Sequence, residues 1–519
     1  MMLIILRLVL FVTSLVLLAC TIVRAEIAPV DIGSRRELFV DDALIERLVG
    51  RAELRLHHPE PREIALVHDQ PWEGPGSGFN SVFKDGPVYR MYYKARYTIL
   101  EIGNGAKASH PSWLCYAESD DGVHWRKPAL GLIEYKGSTA NNIVMGEANL
   151  GRLRIAPGLP AVFKDENPKA PADAKYKAII ATHRPNGVIP FKSADGLKWF
   201  RMSDAPVLTE GSFDSQNTAF WDADRQQYRA YWRHFSQGDN DLSSLNPIGI
   251  RALRTAVSPD LLKWSNVEDV RYPESRADAL YTNAIKPYYR APHLLVGFPA
   301  RYIDRGWSES MRALPELEHR EFRSAVNLRH GTTLTEGLLM TGRDGVSFKL
   351  WNDAFLRPGP ERPDTWNYGH QIIAWHLVET KSALDGAPNE LSLFATESYW
   401  TGNSSATRRY SLRLDGFVSV RAPLSGGELI TQPVVFSGRR LALNFSTSAA
   451  GSVRVEIQDI KGKPVSGFSL ADCPPIFGDA IERPVAWNGG RDLKALAGKP
   501  VRLRFVLSDA DVFAYQFRD

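Results

Sequence analysis

Cysteine is almost missing from this chain, with three in 519 residues. Cys20 lies in the N-terminal leader, and Cys115 and Cys473 stand far apart. That spacing gives neither a disulfide framework nor a metal-ligand cluster, and both distal thiols read as small buried apolar residues. Charge of one sign is missing too. The formal net charge is +4 and 44% of residues are hydrophobic, which excludes a nucleic-acid footprint and a disordered composition. No G-x-S-x-G elbow, H-E-x-x-H helix, Walker loop or dinucleotide fingerprint occurs. The apolar run from about Leu8 to Val23 is too short, and too close to a cleavage site after Ala25, to favour a membrane span. It reads as a signal peptide over residues 1–25, so the protein is expected to be secreted or periplasmic. The rival is a lipoprotein box at "LLAC", with Cys20 lipidated, although Leu18 fits that box poorly.

What is present is a repeat. "SDDGVHW", "SADGLKW", "SPDLLKW", "GRDGVSF" and a degraded "RLDGFVS" place Asp121, Asp195, Asp260, Asp344 and Asp415 at intervals of 65 to 84 residues, about the length of four strands with their loops. An Asp-Gly turn followed by an aromatic is a hairpin signal, the ring packing between neighbouring sheets. Before each turn comes a pair of strands, as in "FNSVFKDGPVYRMYYKARY" or "QNTAFWDADRQQYRAYWRHF". Five such units over residues 45–420 predict an all-β fold, a five-bladed β-propeller. After about residue 424 period-two alternation continues without the turn motif, which predicts a β-sandwich over 424–519. The propeller then takes 26–423.

Propeller topology converts sequence order into a map. The Asp-Gly turns fall on the lower face, where they are structural. At the upper ends of the inner strands stand Asn80, Pro160, Asn217, Asn283 and His370, polar at four of five places, which suggests a solvated central funnel. The alternative is that these amides satisfy loop backbone. The same map raises Glu73, Asp214, Asp278, Asp304, Glu336 and Glu397 to the upper face.

"FDSQNTAFWD", "YTNAIKPYYRAPHLLVGFPARYIDR" and "RRYSLRLDGFVSV", together with the layout, resemble the five-bladed glycoside hydrolase superfamily, its invertase and fructanase-like and arabinanase and xylosidase-like branches, and more closely its exported planctomycete-type members. The resemblance implies a secreted glycoside hydrolase acting on a plant or algal glycan. The family's acids sit on the first three inner strands, where this chain has Asn80, Pro160 and Asn217, so no catalytic residue is carried over. Glycoside hydrolysis needs two carboxyl groups separated by about 5 to 9.5 Å. The candidates are Asp214, Glu397 and Glu73, with Glu336 and Asp278 in reserve. Glu397 is the expected acid because the rings of "SYW" would raise its pKa, and Asp214, among Ser215, Gln216 and Asn217, the expected base. Substrate binding is assigned to Asn80, Gln216, Asn217, Asn283, His370, Arg233, Arg301, Tyr302 and Trp400. The upper cations Arg96, His183, Arg184, Arg233, His234, Arg301 and Arg305 favour a carboxylated or sulfated substrate. No cofactor and no metal are expected. A channel calcium of the kind some related propellers hold would fall at His370, but no cluster of oxygen ligands is legible. A carbohydrate substrate is the expected partner, and the sequence is silent on oligomeric state. A non-catalytic carbohydrate-binding propeller and a polysaccharide lyase with a Tyr or His base stay open beside hydrolysis.

Overall fold

A computed structural model describes residues 28–146, 148–150, 153–237 and 249–519. The leader over 1–25 and Cys20 lie outside the described residues. Among those described, no helix is long and apolar enough to cross a membrane.

Five sheets stand around one axis. Blade one runs outward through Gly78–Asp85, Val88–Ala95, Trp113–Ser119 and Ile143–Gly146. Blade two uses Leu153–Lys164, Tyr176–Arg184, Asn186–Ser193 and Phe200–Arg201, and blade three Thr218–Asp222, Gln227–Phe235, Arg251–Ser258 and Ser265–Asp269. Blade four takes Lys286–Tyr288, Ala291–Gly297, Thr333–Gly342 and Phe348–Leu356, with Ala300–Asp304 extending its second strand upward and three short helices following. Strands buried on both faces read as near-continuous apolar runs, and "TAFWD" of blade three is buried at every position. Trp232, Trp375, Tyr231 and Phe163 fill the space between blades and belong to the largest apolar core.

Four of the Asp turns share one geometry. The first carboxylate oxygen of Asp121 accepts from the backbone N–H groups of Val123 and His124, at 2.8 Å each. Asp195, Asp260 and Asp344 repeat this with the second and third residues after each. Gly122, Gly196 and Gly345 follow at φ +77°, +81° and +86°, where a side chain is disfavoured. Leu261 takes the same position in blade three at φ +68°, a cost of about 1 to 2 kcal/mol. The trailing aromatics meet the next sheet, Trp125 against Phe394, Trp199 against Tyr92 and Phe348 against Tyr231, with ring centroids 5.6 to 6.2 Å apart.

The fifth copy does not belong to this set. Asp415 is fully buried at φ +62° and accepts from Arg36 (3.0 Å), Arg290 (2.8 Å), Asn444 (3.1 Å) and the Tyr288 hydroxyl (2.8 Å). It is an ionic junction between propeller and C-terminal sheet, because the chain leaves the propeller here. Blade five comprises Val378–Thr380, Glu390–Glu397 and Ala406–Arg413, and its outer strand is Glu60–Val67 from the start of the chain. The ring is thus closed by hydrogen bonds between the two ends of the propeller.

Residues 30–56, which the sequence reading gives to the propeller, instead pair with the C-terminal region. Arg36–Leu38, Ile45–Gly50 and Glu53–Leu56 join an eight-stranded sheet whose spine is Arg440–Gln458 against Arg502–Arg518. Val30–Gly33 runs parallel to Val434–Phe436 beside it. This sheet encloses a separate apolar core that includes Phe436, Phe505, Tyr515 and Phe517.

Candidate functional site

The inner-strand ends converge so tightly that their polar groups bind one another. Gln216 donates to the Pro160 carbonyl (2.8 Å), Asn283 accepts from Thr218 (2.8 Å) and donates to the Gln216 carbonyl (3.2 Å), and Asn217 donates to the Ser215 carbonyl (2.9 Å). Asn80 donates to Thr407 (3.0 Å), while its backbone carbonyl accepts from the Trp375 N–H (2.7 Å). All of these side chains are buried, and so is His370. The expected solvated funnel is therefore closed at this level by cross-links among five crowded strands. Asn80, Gln216, Asn217 and Asn283 each donate in these cross-links, while the side-chain oxygens of Asn80, Gln216 and Asn217 are buried without a hydrogen-bond partner among the described residues. Burial lowers the His370 pKa to about 4, and its Nδ1 faces the Trp366 N–H at 3.3 Å. Calcium takes about six to eight oxygen ligands. No group of three His, Cys, Asp or Glu able to hold a metal ion occurs among the described residues.

Most of the expected carboxylates are committed elsewhere. Glu73 is wholly buried and accepts from the Tyr93 hydroxyl (2.5 Å), Lys127 (2.6 Å) and the Gln70 N–H (2.9 Å). Glu336 and Asp278 both hold Arg301, at 2.9 and 3.1 Å. Glu397 accepts from Arg362 (2.7 Å) and Arg408 (2.8 Å). Burial raises its pKa, but the Arg408 hydrogen bond and the two guanidinium charges outweigh burial and leave it lowered. The expectation that neighbouring rings would keep Glu397 protonated is corrected: two arginines hold it ionised.

Above the closed end lies a cleft of about 720 Å³. Its wall is an aromatic cluster drawn from blades one, four and five: Phe79, Tyr281, Tyr368, Tyr399 and Trp400. The Tyr368 hydroxyl donates to that of Tyr281 (3.0 Å), and Tyr399 stacks on Trp400 at 5.4 Å and 18°. Phe79, Ser398 and Trp400 have φ of +56°, +55° and +60°. Each such non-glycine residue costs roughly 1 kcal/mol or more, strain that persists where surrounding contacts over-determine it and that clusters at binding sites.

Asp214 lines this cleft, half exposed, and is the single carboxylate among the described residues that do so. It pairs with Arg233, whose buried guanidinium also lies 5.2 Å from the Tyr281 ring centroid. Around it stand Lys94, Arg96, Arg154 and His183. Arg301 and Tyr302 lie outside this lining. Tyr302 carries the Arg251 guanidinium 3.8 Å over its ring and accepts from Thr333 at 3.0 Å. Of the residues expected at the site, the cleft thus gathers Asp214, Trp400, Arg96 and His183 directly, with Arg233 behind Asp214.

Sequence reasoning missed Lys94, Tyr281 and Tyr368. The signal for Lys94 was a second cation, after Arg90, in the otherwise apolar strand "YRMYYKA", with no acid in that strand to meet it. A larger cavity of about 810 Å³ opens at the opposite end, beside the Asp120 and Asp121 turn. Its half-buried Lys286 faces Glu166 at 3.6 Å, so the cation there has an acid beside it.

No family model matches this chain, and no curated protein does. Several solved structures are similar over long stretches. An N-acetylgalactosamine deacetylase from F. plautii, in complex with blood group B trisaccharide, is 12% identical over 71% of this chain and 95% of its own, with a TM-score of 0.40. A structure described under the GH130 family of mannoside phosphorylases and hydrolases targeting β-1,2 mannosidic linkages is 11% identical over 68% and 94%, with a TM-score of 0.39. A fructofuranosidase variant from Schwanniomyces occidentalis with fructosylnystose is 11% identical over 89% and 96%, with a TM-score of 0.35.

Proposed function

We propose that the protein is a carbohydrate-active enzyme, exported from the cell, that binds an anionic saccharide in the upper cleft and cleaves a glycosidic bond there. The observation that carries this reading is the composition of one cavity. Aromatic edges are set against Lys94, Arg96, Arg154 and His183, with a single carboxylate, Asp214, among the described lining residues. Rings offer apolar area to sugar faces, and clustered guanidinium groups bind carboxylate or sulfate oxygens with geometry a neutral sugar cannot use. Arg96 has no ion-pair partner among the described residues, and its Nε is buried without a hydrogen bond. A ligand oxyanion would supply the missing acceptor.

The test compares polygalacturonate with its methyl-esterified form in a binding assay. Arg96→Ala should weaken binding of the charged polymer at least about tenfold, the worth of one charge-assisted hydrogen bond, and leave the neutral one nearly unchanged. Arg301→Ala is the control, because Glu336 and Asp278 already occupy that guanidinium. Equal losses for both polymers in Arg96→Ala would overturn the anionic reading.

A further inference from the structure

The carboxylate pair that hydrolysis requires is not assembled by the described lining of the cleft, yet the cleft holds a basic group with no acid beside it among the described residues. Lys94 is 6% exposed and, among the described residues, its Nζ makes one hydrogen bond, to the Tyr399 hydroxyl at 3.0 Å. Its other neighbours are ring faces, Phe79 at 4.6 Å and Tyr399 at 5.2 Å from Nζ to centroid. Other lysines withdrawn from solvent in this protein look different. Buried Lys177 meets Asp165 at 2.6 Å and half-buried Lys127 meets Glu73 at 2.6 Å, as the cost of burying an ammonium demands. Lys94 sits on blade one's second strand, opposite Gly78 and Leu114, where packing alone is served by an apolar residue.

We propose that Lys94 is the base of a β-elimination, taking the proton from C5 of a uronate bound in the cleft and so breaking the linkage at C4. This inference rests on the anionic-saccharide reading above. Burial, helped by the nearby Arg96 charge, pushes the Lys94 ammonium well below its ordinary range, which favours the unprotonated amine that a base requires. The C5 hydrogen of a uronate becomes acidic only when its carboxylate is neutralised, and Arg96 with the other cleft cations provides that. Burial raises the Tyr399 pKa, so its hydroxyl keeps its proton until a stronger base appears beside it.

The balance is simple. The C5–H bond breaks and its proton goes to Lys94 Nζ, the electron pair forms the C4–C5 double bond, and the C4–O bond breaks. The departing oxygen takes the Tyr399 proton, and the new Lys94 ammonium, 3.0 Å away, returns one to Tyr399. No water and no oxidant are consumed. Asp214 takes no part beyond holding Arg233.

The experiment uses the full chain with polygalacturonate, polymannuronate and a glucuronate oligosaccharide, each also as its carboxyl-reduced neutral analogue. Binding is measured beside product formation. Elimination gives an unsaturated, ultraviolet-absorbing end from at least one charged probe and none from the neutral ones. Lys94→Met and Lys94→Arg should then each lower turnover by about 10² or more with KM within a few-fold. Wild-type protein in water enriched in heavy oxygen gives a reading that needs no variant, since the eliminated product carries no solvent oxygen at the cleaved bond. Saturated reducing ends that incorporate solvent oxygen would overturn the elimination, as would undiminished turnover by folded Lys94→Met protein. Binding of a uronate without any product would overturn the elimination and leave the binding reading standing. Failure of every uronate to bind would overturn both.

Discussion

If Lys94 is held as a neutral amine, replacing it should stabilise the protein, and the gain should depend on pH in a stated direction. The folded-state pKa lies well below the ordinary 10.5, first through burial and then through the Arg96 charge. In the unfolded chain the amine keeps its proton up to its ordinary pKa, and in the folded chain it loses it at lower pH. The unfolded state therefore binds more protons between the two pKa values, and stability rises with pH there. The penalty is absent above pH 10.5 and grows as pH falls toward the folded pKa, at about 1.4 kcal/mol per pH unit. Lys94→Met keeps the unbranched stem and its packing against Phe79, and removes the amine. Against the gain stands the lost hydrogen bond to Tyr399, about 0.5 to 1.5 kcal/mol. Lys94→Met should accordingly be the more stable protein near neutral pH. Its advantage should narrow by about 1.4 kcal/mol for each pH unit raised within the window, and reverse slightly above the ordinary lysine pKa. Paired denaturant titrations of wild type and variant at several pH values would measure it, other titrating groups cancelling in the difference. An advantage independent of pH, or one that grows as pH rises, would show that Lys94 keeps its proton in the fold and would refute the reasoning.

Three further expectations follow from the same geometry. Asp214→Asn removes the charge opposite the buried Arg233. Because Asp214 is half exposed, stability should fall by only about 1 kcal/mol in thermal melts, and undiminished turnover by folded protein would reject Asp214 as base or nucleophile. Glu397→Gln should destabilise by about 1 to 3 kcal/mol at neutral pH. With the Glu397 pKa lowered in the fold, that loss is present above the ordinary 4.5 and disappears as pH falls through the folded value; a loss that survives in strong acid would contradict it. Asp415→Asn, which leaves Arg36 and Arg290 short of a charge, should cost about 3 to 5 kcal/mol in denaturant unfolding, and a loss under about 1 kcal/mol would show that Glu482, which also pairs with Arg36 and Arg290, can alone hold both arginines.

The blades were legible in the sequence because what makes them is local. Period-two alternation decides a strand within a few residues, and Asp121, Asp195, Asp260 and Asp344 each close a turn with N–H groups two and three positions on. The same letters mislead at the fifth copy. Asp415 matches the motif, but its partners Arg36, Tyr288 and Asn444 come from distant segments, and no local pattern announces them.

What only the tertiary structure decided is everything that joins distant parts of the chain. Arg408 donates to the carbonyl of Arg62, 346 positions away, and nothing in "EPREIALV" distinguishes an outer strand of blade five from a first strand of blade one. The candidate site is of the same kind. Its polar residues were sought at the inner-strand ends, and those are the places where five strands crowd together and amides cross-link backbone. The cleft instead forms one layer higher, from Lys94 and Phe79 of blade one, Arg154 and His183 of blade two, Asp214 before blade three, Tyr281 before blade four, and Tyr368, Tyr399 and Trp400 around blade five. Alternation says which face of a strand is buried. It does not say what the buried side chain meets, and a lysine facing rings rather than a carboxylate acquires its chemistry only from that meeting.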